Sequence, residues 1–114
     1  MKAQIEYSDF EKLDLRVGTI LEAGPFPDPK KTKLLVLKVD LGEDQPRTIC
    51  AGIAQHYNPA GLIGKQIIVV ANLAPRTFKG EVSVESHGML LAAHGAAPIF
   101  LRPEHNVSNG AEVG

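Results

Sequence analysis

The sequence predicts an all-β fold, and more narrowly a five-stranded barrel of the oligonucleotide/oligosaccharide-binding (OB) type. Five segments have the alternating or β-branched patterns of strands, and turn-forming residues separate them. Helical signals are confined to two short stretches, one of which falls between the third and fourth strands. That position is typical of an OB barrel. A five-stranded SH3-like barrel is the main alternative, and it would usually lack a helix there.

The patterns within the five segments indicate how each strand lies in the sheet. The first segment alternates between apolar and polar residues, as a half-buried strand should, and the fourth is largely apolar, which indicates a central position. The second begins as an apolar run and then alternates. The predicted strands are residues 15–21, 34–41, 47–53, 66–73 and 88–93.

Two short helices are predicted from capping residues. Ser8 and Glu11 have the spacing of a capping box, which predicts a single helical turn before the first strand. Asn58 is a candidate N-cap with Pro59 after it, and Gly64 is a candidate stop. These residues predict a short helix over residues 59–63.

The 114 residues fit one domain, residues 1–114, with a barrel core over about residues 9–93. Cys50 is the only cysteine, so an internal disulfide is excluded, and its apolar neighbours predict a buried thiol. No apolar run approaches the ~20 residues that span a bilayer, so no membrane partner is expected. We expect a cytoplasmic protein.

The formal net charge of -1 at first argues against a nucleic-acid binder, but the charges are unevenly placed. Residues 29–80 hold eight bases and three acids, whereas both flanking segments are acidic. From Gln45 to Gly80 there is no acid at all. A phosphate ligand responds to the local field, so this basic middle section is compatible with RNA binding.

The sequence contains no motif of a known catalytic or cofactor site. It lacks a Gly-x-Ser-x-Gly nucleophile motif, a phosphate-binding loop and a dinucleotide fingerprint. His87 and His94 are seven residues apart on either side of the last predicted strand, a spacing that does not converge on one metal ion. We therefore expect no catalytic residues, no metal and no cofactor.

Two blocks near the end of the predicted barrel carry a family resemblance. Residues 72–76 (NLAPR) and 84–93 (VESHGMLLAA) resemble the signature of the tRNA-binding OB domain. That domain occurs in stand-alone tRNA-binding proteins and at the C-terminus of many methionyl-tRNA synthetases. Earlier blocks agree in order, so the resemblance covers roughly residues 9–93. The sequence departs from the family in a longer loop over residues 79–85, where Glu81 and Glu85 place acids near the expected RNA face.

The fold and the resemblance together imply an RNA-binding site. OB barrels bind nucleic acid on strands two and three, between the first loop and the loop joining strands four and five. Bases from both loops are therefore expected on one rim. For Asn72 the alternative is stabilisation of its own turn, and for Met89 it is core packing. The predicted RNA-binding residues are Lys30, Lys31, Lys33, Asn72, Arg76, Lys79, Ser86 and Met89.

The resemblance also implies partners. It predicts a non-catalytic homodimer that binds tRNA and acts as an auxiliary in trans to an aminoacyl-tRNA synthetase. The absence of tryptophan favours recognition of RNA shape over stacking on single strands. Tyr7, Phe10, Leu13 and residues 96–101 are the candidate dimer interface, with packing inside one subunit as the alternative. The alternative function is that of a dimeric CsaA-like secretion chaperone that binds peptides.

Overall fold

A computed structural model describes residues 1–114, and its centre is a nearly closed antiparallel barrel. Five strands form the barrel in the order β3–β2–β1–β4–β7, and this is the OB architecture that the sequence predicts. The ten strands of the chain are β1 (Leu15–Pro25), β2 (Leu35–Asp40), β3 (Arg47–Ala51), β4 (Gln66–Val70), β5 (Arg76–Phe78), β6 (Val84–Ser86), β7 (Met89–Leu90), β8 (Ala92–His94), β9 (Pro98–Phe100) and β10 (Glu112–Val113).

The long strand β1 belongs to both halves of the barrel. Its first part pairs with β4, ending at Thr19 opposite Gln66, and its second part pairs with β2. The register shifts between Ile20 and Glu22, and such a bulge bends a strand. Eleven buried apolar residues fill the interior: Ile20, Leu35, Leu37, Val39, Leu41, Ile49, Ile53, Leu62, Ile67, Val69 and Leu90.

Both predicted helices are present, with one correction. A 3₁₀ helix covers Pro59–Leu62 between β3 and β4, and the side chain of Asn58 caps it by accepting a hydrogen bond from the Ala60 N–H at 3.1 Å. The N-terminal turn, α1, covers Tyr7–Phe10, but the capping box predicted from Ser8 is wrong. Glu6 is the N-cap and Asp9 its partner, because the Asp9 carboxylate accepts from the Glu6 N–H at 3.0 Å.

The second half of the chain has more strands than the sequence indicates. The segment predicted as one strand over residues 88–93 is broken at Leu91 into β7 and β8. The predicted loop after β4 holds the β5–β6 hairpin, and β8 pairs with β9. Near the C-terminus, β10 pairs with the start of β1, with Leu15 opposite Val113. No helix has the length and apolar character needed to cross a bilayer.

Candidate nucleic-acid interface

The β1–β2 loop, residues 26–34, is held against the β5–β6 hairpin by one buried carboxylate. Asp28 is only 5% exposed. Its Oδ1 accepts from the Lys30 N–H at 3.0 Å, and its Oδ2 accepts from the Glu81 N–H at 3.1 Å. The first bond lies within the loop, and the second reaches the hairpin turn. Asp28 therefore joins two segments that are about fifty residues apart in the sequence.

This connection places the predicted basic residues of both segments at one edge of the barrel. We call Lys30, Lys31, Lys33, Arg76 and Lys79 the basic rim. All five side chains are exposed, and none forms an ion pair within the chain. Unpaired exposed cations keep their full capacity to bind phosphate. Their contact with RNA stays a prediction.

Arg76 has a second feature that suits nucleic acid. Its guanidinium carbon lies 4.5 Å from the ring centroid of Phe78, so the guanidinium lies over an aromatic face. Stacking of this kind holds the guanidinium in a fixed orientation and leaves its other face available. A phosphate or a base could be bound by that free side.

The β5–β6 hairpin lies along the free edge of β3. The His87 N–H donates to the Thr48 carbonyl at 2.8 Å, and the Cys50 N–H donates to the hydroxyl of Ser86 at 3.0 Å. Ser86 is 3% exposed, and its hydroxyl in turn donates to the Gly88 carbonyl at 3.2 Å. In this structure the Ser86 hydroxyl joins the hairpin to the barrel; its predicted contact with RNA stays a prediction.

Replacing Ser86 by alanine should therefore destabilise the fold. The Cys50 N–H would be left buried without an acceptor, a loss that typically costs about 1–3 kcal/mol. Urea denaturation should show a lower midpoint for Ser86→Ala than for Ser83→Ala, which removes a hydroxyl from an exposed position in the hairpin turn. Equal midpoints for the two variants would contradict the joining role of Ser86.

Asn72 and Met89 occupy different environments. The Asn72 amide accepts from the Asp14 N–H at 2.9 Å and donates to the Lys12 carbonyl at 2.7 Å, so it joins the segment after α1 to the turn after β4. Met89 is 46% exposed, so packing in the core is not its role. RNA contacts by these two residues stay predictions.

Two residues of this region were missed by sequence reasoning. The joining role of Asp28 was not indicated by any local pattern, because its carboxylate accepts a hydrogen bond from a hairpin turn far along the chain. Lys38 lies on the outward side of β2, where its Nζ donates to the Thr48 hydroxyl at 2.6 Å. The alternation of apolar and polar residues over residues 37–40 could have indicated it, since that pattern places Lys38 on the outer face of β2, where the structure has it half-buried.

Cys50 is buried, as predicted, at 7% exposure. It lies at the edge of β3 beneath the β5–β6 hairpin, and burial raises the pKa of its thiol. A raised thiol pKa disfavours the reactive thiolate, so Cys50 serves as a small packing residue.

An arginine fixes the β2–β3 loop next to the same hairpin. Arg47 forms a two-pronged ion pair with Glu43, with N–O distances of 2.7 and 2.9 Å, and donates to the Ala71 carbonyl at 2.6 Å. Its hydrogen bonds lower the pKa of Glu43. Because the folded-state pKa lies below the unfolded value, the pair stabilises the fold above the unfolded pKa, and this contribution is lost as the pH falls through the folded one.

Glu43→Gln should thus remove a pH-dependent part of the stability. At pH 7 the variant should be less stable by about 0.2–1 kcal/mol, the range for an exposed pair. Below about pH 4, near the ordinary glutamate pKa, the difference should shrink. Urea midpoints at both pH values test this, with Asp44→Asn as the control because Asp44 is exposed and unpaired. A difference that grows on acidification would contradict the assignment.

The candidate dimer segments divide into packed and exposed parts. The ring of Phe100 stacks on Tyr57 with centroids 4.5 Å apart, and the Tyr57 hydroxyl donates to the Pro98 carbonyl at 2.5 Å. Those contacts lie within one subunit. Other apolar residues of the two segments stay exposed, namely Tyr7, Leu13, Ile99 and Leu101.

Comparison with known proteins identifies the family to which this chain belongs. Residues 15–112 match the family model described as "Putative tRNA binding domain". The chain belongs to this tRNA-binding domain family. The match covers nearly the whole barrel and includes both segments of the basic rim. It confirms the resemblance seen in the two sequence blocks.

Individual relatives of this tRNA-binding domain are synthetases and small proteins. It is 49% identical over 114 residues to the methionine–tRNA ligase of Flavobacterium johnsoniae, covering 98% of this chain and 15% of that protein. The chain thus spans about a sixth of the length of the curated relatives it matches. Among solved structures it is similar to a MetRS related protein from Pyrococcus horikoshii, with TM-score 0.85, 34% identity and coverage of 99% and 100% of the two chains. It is also similar to the chaperone CsaA of Bacillus anthracis, with TM-score 0.83, 32% identity and coverage of 98% and 100%.

Proposed function

We propose that this domain binds tRNA without catalysis, recognising the folded shape of the RNA through its basic rim. The observation that carries the proposal is the Asp28 connection, because it assembles cations from two distant segments into one surface. Family membership supports tRNA as the ligand. Lysines and an arginine at such an edge neutralise phosphates and release condensed counterions, which gives affinity without base specificity.

Recognition by shape is tested by comparing two ligands. Filter binding should give a lower Kd for bulk tRNA than for an unstructured RNA strand of equal length. Both ligands carry the same number of phosphates, so the comparison separates geometry from charge. Equal affinities would refute the recognition of shape.

We further propose that the domain works as a cytoplasmic homodimer, in trans to an aminoacyl-tRNA synthetase. The likeness to methionine–tRNA ligases supports the synthetase connection, and the exposed apolar residues of the N-terminal turn and the β8–β9 region supply a candidate surface. A two-fold pair would present two basic rims and gain avidity on one RNA. Size-exclusion chromatography with light scattering, with and without tRNA, should report a dimer; a monomer in both runs would remove this part of the proposal.

Peptide binding is the second candidate function. It is favoured by the likeness to CsaA chaperones and by an apolar groove beside the hairpin. Binding to an array of unfolded peptides that survives excess tRNA would favour it. Loss of the peptide signal in excess tRNA would favour the RNA function.

A further inference from the structure

The apolar groove beside the basic rim is an opening of about 460 Å³ between the end of β3, the β5–β6 hairpin and β7. Leu34, Ile53 and Pro98 contribute to its apolar walls, and Arg76 is the only charged residue that lines it. Cavities of ~300–1,000 Å³ with apolar walls and few polar groups are typical of small-molecule sites. The groove is therefore large enough for one planar ring system.

One wall of the groove is flat and carries a charge. Arg76 lies over the ring of Phe78 at 4.5 Å, and both residues line the groove. Arginine planes and aromatic rings are the side chains on which unpaired bases stack. Met89 adds an exposed, adaptable apolar contact on the same lining.

The wall formed by the end of β3 carries polar main-chain groups. Gly52 lines the groove, and its N–H and carbonyl take part in no backbone hydrogen bond. A free donor and a free acceptor on one residue match the hydrogen-bonding edge of a base. Gly52 follows the last residue of β3, Ala51, and both residues line the groove.

We propose that this groove binds one unpaired base of the RNA, stacked on the face of the Arg76 guanidinium that Phe78 leaves free, while flanking phosphates contact the lysines of the basic rim. The inference rests on the proposed function, since it names the part of the RNA that the groove takes. Charge complementarity selects this occupant: Arg76, the one charged residue of the lining, forms no ion pair, and no acid lines the groove. An apolar peptide would use the walls but not the rim.

Filling the groove provides the test. Gly52 lines the groove, and a Cβ placed on it meets no atom within 4 Å, so the backbone there accepts the first side-chain atom of Gly52→Leu without a clash. Base stacking is worth enough that its loss should raise the Kd for tRNA about tenfold. The slope of log K against log salt should stay the same, because no phosphate contact is lost. Gly61→Leu is the matched control, since position 61 is equally open but lies on the 3₁₀ helix.

The possible outcomes distinguish a failure of the groove inference from a failure of the proposed function. If wild-type protein binds tRNA and Gly52→Leu binds as tightly as Gly61→Leu, the groove inference is overturned and tRNA binding stands. If the wild type fails to bind tRNA, the proposed function falls, and the inference falls with it. If Gly52→Leu abolishes binding of unfolded peptide but not of tRNA, the groove is a peptide site and the inference is overturned.

A second measurement uses the unaltered protein, so it does not depend on how a variant folds. Ultraviolet irradiation of the wild-type complex with tRNA should cross-link the RNA to Phe78 or Met89, which line the groove. Mass spectrometry of the nuclease-treated product identifies the linked residue. Cross-links confined to residues outside the groove would overturn the inference.

Discussion

Replacing Lys30, Lys31, Lys33 and Arg76 together by alanine is expected to weaken tRNA binding about a hundredfold or more at a salt concentration of about 50 mM. The four side chains are exposed and unpaired, so the substitutions remove no ion pair from the folded chain. Each phosphate contact that is lost should reduce the slope of log K against log salt by roughly 0.7–0.9. The variant should therefore have a slope smaller by about 3, and its Kd should approach that of the wild type at high salt.

Position, rather than net charge, should decide this effect. Replacing Lys2, Lys12, Lys65 and Arg102 by alanine removes the same charge from parts of the chain outside the β1–β2 loop and the β5–β6 hairpin. We expect this control to keep most of the affinity and most of the salt slope. If both quadruple variants lose binding equally, the interaction is non-specific attraction to the whole molecule and the basic rim is not the site.

The barrel could be predicted from the sequence because its signals are local. Alternation and β-branched runs located all five barrel strands, and Asn58 and Pro59 located the 3₁₀ helix to within one residue. The hairpin of β5 and β6 escaped prediction, because three-residue strands are too short to show a period. The break at Leu91 was missed for a related reason: an apolar run does not reveal where a strand changes partner.

Only the basic residues of the site could be predicted from the sequence. OB topology brings the first loop and the segment after the fourth strand together, so the basic rim could be expected from the fold. The residues that hold the basic rim and the hairpin in place could not be predicted, because the bonds by which they do so join positions far apart in the chain. Asp28 binds the Glu81 N–H, and Ser86 binds the Cys50 N–H. A single sequence records neither partner, and both side chains gain their role only once the hairpin is in place.

The C-terminal turn is a second feature that only the structure shows, and two glycines let it pack closely. Gly42 and Gly110 have φ of +77° and +90°, and their backbones face each other. A Cβ on Gly110 would lie 2.5 Å from the Leu41 carbonyl oxygen. This close approach places the Ala111 carbonyl to accept from the Val17 N–H at 3.0 Å and lets the Arg16 guanidinium donate to the Gly110 carbonyl at 3.1 Å. The C-terminal turn thereby covers the start of β1.

Gly110→Val should consequently lower the free energy of unfolding by roughly 3 kcal/mol or more, the sum of backbone strain and lost hydrogen bonds. Gly64→Val is the matched control. Gly64 has φ of +87°, but a Cβ there meets nothing within 4 Å, so this substitution adds backbone strain without a steric clash at Cβ. Urea denaturation should place Gly110→Val well below Gly64→Val, and hydrogen exchange should show lost protection at the Val17 amide in the first variant only. Equal losses of unfolding free energy in the two variants would mean that the close packing of the C-terminal turn does not contribute to stability. Strand β1 runs from Leu15, beside the C-terminal turn, to Pro25, next to the β1–β2 loop. Folded Gly110→Val should therefore still bind tRNA with the wild-type Kd. That result would separate the stability of the barrel from its proposed RNA surface.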